Sequence, residues 1–444
     1  MHAQPHAQSP QGCGSVSGSR HVTGAGPGRG VSSVARQRQN VSMESRFGFP
    51  HITLLWVVAT TIACGAPELS PEAAALAVVS PEVLERMRAT PHDYFRFINH
   101  EWTARVCDVF ASDVPHLPTV QLHGDAHVEQ YAITSNAWGL DDFDDSTRGP
   151  ALVDIVRFLG SIELVAQQRG WSRERDRLVD RFFAGYRQGL SAPLERPSQP
   201  EMVRRLLAEN PPMSHEAFLE SADQLTLRVD EASMPGVIAG MKEFAKVVLR
   251  ERSEFPEDYF EVIRSGWLRI GVGSASSRKV LIRVRGASSD PADDVLLEAK
   301  AVRALDGLKC LEVPQQEPTF RIIAGSHQLG RLKHDIIAAG PEVAVPEMTI
   351  QGEHLRNWWV HSWEPSYREI AIADFRTADD LSGIVYDSGV QLGAGSVHRF
   401  DGGVDEGIRR ESLTSLSALE PRLRQAAHTL VEELLRGWHR FRGD

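Results

Sequence analysis

The stretch from His123 to Arg157, HGDAHVEQYAITSNAWGLDDFDDSTRGPALVDIVR, gathers the acidic residues best placed to do chemistry. Asp125 follows His123 and Gly124, and a second acidic group, Asp141, Asp142, Asp144 and Asp145, surrounds Phe143. Two short β-prone pieces, Gln130–Thr134 and Trp138–Leu140, flank Ser135 and Asn136 between them. This pattern predicts strand–turn–strand, which brings the second acidic group back beside the first. Carboxylates repel one another, so gathering them calls for a shared divalent cation or a proton-transfer task. Taken singly, the same residues have plainer roles. Asp125 or Asp142 alone suits a turn-closing acid, Asp144 and Asp145 suit solvated positions, and Asp154 suits a helix N-cap. His123 and His127 suit metal ligation or, more commonly, structural hydrogen bonds.

A second set of candidates lies far along the chain. Gly271-Val-Gly273-Ser274 follows the apolar Trp267–Ile270 and precedes Lys279–Arg285, which alternates polar and apolar as a half-buried strand does. Val295–Lys300 reads as a further strand. Dinucleotide-binding and P-loop glycine motifs lead from a strand into a helix. Here a strand follows, which suits a hairpin whose backbone N–H groups cover phosphates. Gly271, Gly273, Ser274 and Lys300 are therefore nucleotide-binding candidates. A plain hairpin turn and a solvated strand lysine are the simpler readings.

The elements around these residues are mostly helical. Glu82–Arg88, Tyr94–Phe110, Asp154–Leu190, Met202–Glu209 and Pro235–Arg252 carry apolar residues at helical spacing, as do Asp379–Leu392 and Pro421–Phe441. Ala301–Leu308 is expected as a helix, and Arg321–Ala324 and Val343–Thr349 as strands. The 444 residues, 42% hydrophobic, suffice for a large core without disulfides. A net charge of −11 and the lack of a basic block argue against nucleic-acid binding. The four cysteines, Cys13, Cys64, Cys107 and Cys310, form no C-x-x-C site.

Residues 1–42 contain four arginines and no acid among many Gly, Ser and Gln residues, and read as disordered or as a mis-called extension, with Met43 an alternative start. From there Arg46, the uncharged run His51–Ala63 and Cys64 resemble a bacterial lipoprotein signal over residues 43–64. Residues 65–80 read as a linker. The expected location is the cell envelope, through a lipid on Cys64, with the cytoplasm as the alternative.

HGDAHVEQ, DDFDD and the later GPxxxD together resemble the signature of aminoglycoside and choline kinases, a branch of the protein-kinase-like fold. That resemblance implies roles residue by residue. Asp125 is the catalytic base, and Asp154 steadies the loop that carries it. Gln130 stands where the family has a magnesium-binding Asn, with its amide one methylene further out. Asp142 is the main metal ligand, with Asp144 beside it. In those kinases the glycine loop and lysine precede the catalytic loop, whereas here they follow it. This order, with Gly124–Gln130, Leu140–Asp145, Ile270–Ser274, Arg278 and Lys300, is similar to bacterial domain-of-unknown-function family 2252. Met87–Arg96 resembles that family's entry segment. The acid partner of Lys300 is sought in Glu312 or Glu317.

The expected fold is therefore α+β, a circularly permuted, bilobal protein-kinase-like fold. Residues 81–266 and 350–444 would form a large helical lobe, and residues 267–349 a small β-rich lobe covering a nucleotide. The expected function is ATP- and Mg2+-dependent phosphoryl transfer to the hydroxyl of an unidentified small-molecule or protein substrate. A pseudokinase-type binding protein and a metal-dependent phosphohydrolase are the alternatives.

Overall fold

The computed structural model describes residues 67–443, apart from 78, 229–233, 269–278, 313–317, 340–348, 351–352 and 355–357. Residues 1–64, with the signal and Cys64, therefore lie outside the described residues, as do Gly271, Gly273 and Ser274. The fold is mixed α+β. Prolines open two successive helices, α1 (Pro81–Ala89) and α2 (Pro91–Phe97), at positions where a missing N–H leaves no helical bond unmade. Ser80 and Thr90 cap them by accepting from Val83 N and Asp93 N. Helix α3 (Asn99–Val109) follows. Strand β1 (Thr119–Leu122) leads into the acidic stretch, where β2 (Tyr131–Ile133) and β3 (Trp138–Leu140) form an antiparallel hairpin with Tyr131 opposite Leu140. Strand β4 (Thr147–Pro150) pairs back on β1, with Leu122 opposite Thr147, so both acidic groups are held at one end of that pair. Helix α4 (Leu152–Gln168) is buried from Leu152 to Ala166, and α5 (Arg175–Ser191), α6 (Glu201–Glu209) and α7 (His215–Leu225) follow.

A six-stranded antiparallel sheet comes next. Its strands are β5 (Thr226–Arg228), β6 (Val262–Leu268), β7 (Lys279–Val284), β8 (Val295–Ala301), β9 (Ile337–Ala339) and β10 (Trp358–Ser362), in spatial order β5-β6-β7-β8-β10-β9. The alternation of side chains gives the sheet two unlike faces. Val280, Ile282, Val284, Leu297, Ala299, Trp358 and Val360 pack against Val237, Met241 and Phe244 of α8 (Met234–Glu251). On the other face Phe218, Leu219 and Ala222 of α7 cover Leu281 and Leu296. The rest of that face, including Lys279, Glu298, Lys300, Trp359 and His361, lines a cavity. Helix α9 (Pro318–Gln328) precedes β9, and the short β11 (Arg368–Glu369) pairs with β2.

Two long helices, α10 (Ala378–Gly395) and α11 (Glu406–Arg442), complete the helical body. Helices α5 and α10 meet backbone to backbone. A Cβ at Gly185 or Gly189 would overlap the carbonyl oxygens of Tyr386 or Val390, and one at Gly393 that of Tyr186. Glycine at these sites permits the contact by lacking a side chain. Among the described residues no helix is long and apolar enough to cross a membrane.

Several expectations need correction. Arg321–Ala324 belongs to α9, because a short apolar run does not distinguish strand from buried helix. Residues after Ala301 form no helix up to Leu308. They turn at Gly307, which has a positive φ of 84°, and carry Cys310 to a disulfide with Cys107. The sheet is wider than residues 267–349, since it takes in β5, most of β6 and β10. Helix α11 starts fifteen residues before Pro421 (421 − 406), and its apolar stripe of Leu416, Leu423, Leu430 and Leu434 runs through the proline. Packing along that stripe offsets the one lost hydrogen bond. The stretch read as a linker is anchored from residue 67. Leu69 is buried, its N–H donates to Glu433 O at 3.2 Å and its carbonyl accepts from Tyr94 Oη at 3.0 Å.

Candidate functional site

The cavity beside the sheet has a volume of about 570 Å³, within the range that takes a small-molecule ligand. Asp125, Gln130, Asp142, Asp144 and Lys300 all line it, so residues from the acidic hairpin and from a strand more than 150 positions later share one space.

The turn bearing Asp125 is over-determined by its neighbours. Gly124 has φ 86°, and any Cβ there would collide with the carbonyl of Asp145, so the sequence needs glycine at this point. The N–H groups of His123 and Gly124 donate to the two oxygens of Asp154 at 2.7 and 2.9 Å. Asp154 thus holds the loop and is not the helix N-cap, a position that Ala151 occupies. Burial pushes its carboxyl up, against His123 and these two N–H donors. His123 donates through Nε2 to Asp141 O at 2.9 Å and accepts the Asp125 N–H at Nδ1, which ties the two acidic groups together and specifies the tautomer.

Asp125 is paired from behind by Arg157, at 2.8 Å, in a site where the two side chains are 8% and 1% exposed. Burial raises the Asp125 carboxyl, opposed by the Arg157 charge, and burial likewise lowers Arg157. Gln130 Nε2 lies 3.5 Å from Asp125 Oδ2 and His127 Nε2 lies 3.8 Å from it. His127 is fully buried, neither ring nitrogen has a hydrogen-bond partner among the described residues, and burial holds it well below the usual imidazole range, as a neutral ring.

Asp142 adopts φ 62°, a left-handed conformation that side chains other than Asn and Asp seldom take. Its Oδ1 lies 3.1 Å from Lys300 Nζ, and Asp144 Oδ2 lies 3.5 Å from the same ammonium. Trp359 Nε1 donates to Asp144 at 3.0 Å. Burial works upward on Asp142, but the Lys300 and Lys279 charges outweigh it and hold the carboxyl well below the usual range. Asp144, raised by burial and then by the charge of Asp142, is pushed up to about 6. Neither Asp144 nor Asp145 is a freely solvated acid. Asp145 is buried, accepting from Asn99 at 2.9 Å and from Arg303 at 3.1 Å.

The acid partners of Lys300 are thus Asp142 and Asp144. Glu312 points elsewhere, to Arg148 at 3.7 Å, and Glu317 lies outside the described residues. Glu298 stands two positions before Lys300 on the same strand face, among Lys279, His361 and Trp363. That alternation was a readable signal for it. Arg157 also had a signal, being a lone cation on an otherwise apolar helical stretch. Glu129, inside the motif, accepts from Arg96 at 3.1 Å and from Ile372 N at 3.0 Å. Burial opposes its ionisation, but His92, Arg96 and that N–H carry its carboxyl down to about 2.

Among the described residues no group of three or more His, Cys, Asp and Glu side chains is arranged to hold a metal ion by itself. Two carboxylates on a common cation are nonetheless what magnesium takes from a protein when substrate phosphates and water supply the remaining ligands. Asp142 and Asp144 fit that requirement.

Residues 79–208 match the family described as an uncharacterized protein conserved in bacteria, DUF2252. The matched stretch contains the acidic hairpin, Asp154 and Arg157, and stops before the sheet that carries Lys300. No curated protein and no solved structure matches the chain.

Proposed function

We propose that the cavity binds a magnesium nucleotide and that the protein transfers its terminal phosphoryl group to a hydroxyl, on a kinase-like bilobal fold in permuted order. The observation that carries this reading is the meeting of Lys300 with Asp142 and Asp144 in the cavity that Asp125 also lines. A magnesium nucleotide, when bound, supplies the phosphoryl group and the cation that offsets its charge. Asp142 and Asp144 would hold the cation, with the Gln130 amide as a further ligand, and Lys300 would turn to the donor phosphates. Asp125 would take the proton of the acceptor hydroxyl, and the burial that raises its carboxyl brings a base closer to neutral pH. Asp154 would keep the loop in place.

Asp142→Asn is expected to abolish magnesium-dependent thermal stabilisation by nucleotide. Asp125→Asn is expected to retain it and to lose about 10²–10⁴-fold in transfer rate, the usual contribution of a general base. The opposite pattern reverses the two assignments, and a parent protein that ignores nucleotide removes the reading. A binding protein without turnover is the second reading. It is favoured by Gln130, whose amide leans on Asp125 at 3.5 Å.

The location we propose is the cell envelope, through a lipid on Cys64. The Cys107–Cys310 disulfide supports it, because such bonds persist in oxidising compartments. Labelled fatty acid should enter the protein in a bacterial host and fail to enter Cys64→Ser; equal labelling of both removes the lipid.

A further inference from the structure

Arg157 takes no part in the roles assigned above, yet it is among the most enclosed charges in the protein. It stands one turn beyond Asp154 on α4 and is 1% exposed. Its Nε and Nη2 reach the same oxygen of Asp125, Oδ1, at 2.9 and 2.8 Å. The guanidinium is held in its turn. Nη2 also donates to Phe95 O at 3.0 Å, and the Phe95 ring centre lies 3.5 Å from Cζ.

Among the described residues the other oxygen, Oδ2, has only long contacts, to Gln130 Nε2 at 3.5 Å and His127 Nε2 at 3.8 Å. Gln130 lines the cavity, whereas Arg157 does not. A carboxyl group rotates easily about its last bond, and its two oxygens are equivalent until something distinguishes them. The Nε hydrogen bond and the Nη2 charge on one oxygen do so, and the planar guanidinium, held by the Nη2 bond to Phe95 O, fixes their direction in a way that a lysine point charge cannot. Burying such a pair contributes little net stability against an apolar replacement, so its use here is better understood as geometry.

We infer that Arg157 is a positioning residue, whose fork occupies Oδ1 of Asp125 and thereby presents Oδ2 to the hydroxyl in the cavity. The hydroxyl rests on the phosphotransfer reading; the orientation of Asp125 does not.

The test uses Arg157→Lys, which keeps the charge and loses the fork, and Phe95→Leu, which keeps the guanidinium and removes the ring against it. Crystal structures read the Asp125 carboxylate orientation, and initial rates read kcat and KM. In Arg157→Lys the carboxylate should turn from its parental orientation. Its kcat should fall about 10²-fold, the scale of a reacting group misplaced by about 1 Å. KM for the magnesium nucleotide should change by less than about twofold, since the lost interaction serves the transition state. Phe95→Leu should move both readouts the same way, by less. A folded Arg157→Lys with the parental orientation and kcat, or with a loss confined to KM, overturns the inference. If Arg157→Lys does not fold, the same readouts on Phe95→Leu decide. A parent without transfer activity ends the phosphotransfer reading, and the crystallographic arm alone then judges Arg157: a carboxylate unmoved without the fork overturns its role.

Discussion

Two carboxylate–cation contacts border the cavity, and they are built in opposite ways. Asp125 and Arg157 come from neighbouring elements, lie inside the helical body, and are locked by Phe95. Asp142 and Lys300 come from distant parts of the chain, and Asp142 is 26% exposed at the cavity. Lys300 sits on a flexible stem with its ammonium 5.0 Å from the Trp359 ring. The first contact cannot open without undoing the core around it. The second borders the cavity through Asp142, although the Lys300 side chain is itself only 7% exposed. On the phosphotransfer reading proposed above, a fixed base and a loadable metal position would use this asymmetry.

The comparison breaks most visibly in stability. Arg157→Leu leaves a buried carboxylate without its cation and is expected to lose about 3–5 kcal/mol in urea unfolding. Lys300→Met leaves two acids that line the cavity and are 26% and 19% exposed, and is expected to lose about 2 kcal/mol, between the worth of an exposed pair and that of a broken buried one. Equal losses in the two variants would mean that the contacts are equivalent and that Lys300 is as structural as Arg157.

These two sites were unequally legible in the sequence. The acidic hairpin could be read because Ser135 and Asn136 interrupt two β-prone pieces, a short-range signal. Lys300 was readable as part of a strand, but its partners were not, since the contact spans 158 positions. Strand β10 escaped because all five of its residues are buried, so the period-2 alternation that marks a half-buried strand is absent. The opening of α11 was lost to Pro421, which suits a first turn as well as an interior position stabilised by packing. Arg157 stands out as a lone cation in a largely apolar helical stretch, but only the fold supplies its partner.

The Cys107–Cys310 disulfide sharpens the contrast from outside the cavity. Cys107 lies on α3, whose first residue, Asn99, bonds Asp145; Cys310 lies beyond Arg303, which donates to the same Asp145 oxygen. The bond thus fastens the segment after Lys300 to the segment that carries Asp125, across 203 positions. The double variant Cys107→Ser/Cys310→Ser should lose about 2–4 kcal/mol, the range for closing a long loop. If the proposed nucleotide reading holds, nucleotide binding by the double variant should also be weaker than the parent's at a matched distance from its own melting temperature. Unchanged binding would make the disulfide a staple of the fold alone.

The smallest effect belongs to Asp380, a carboxylate–cation contact outside the cavity that serves as the reference for both others. It sits in the first turn of α10, pairs with Arg205 at 2.8 Å and accepts from the N–H groups of Arg376 and Thr377. Burial works upward on it, but Arg205 and these N–H donors lower its carboxyl below the usual range. A carboxyl whose folded value is depressed binds fewer protons folded than unfolded at mildly acid pH. Its contribution is therefore complete above the unfolded value and fades as pH falls through the folded one. Asp380→Ala should lose about 1 kcal/mol near pH 7, the usual worth of a helix-capping acid. The difference from the parent should shrink below pH 4, about the pKa of an unperturbed Asp. Asp125, raised by burial, has the opposite sign: ionising it costs the folded state, so its carboxylate does not stabilise the fold as pH rises. Urea unfolding of parent and Asp380→Ala between pH 3 and pH 7 measures the first slope. A difference that stays constant or grows toward acid would show that Asp380 acts through packing, and it would then no longer serve as an electrostatic reference for the two cavity pairs.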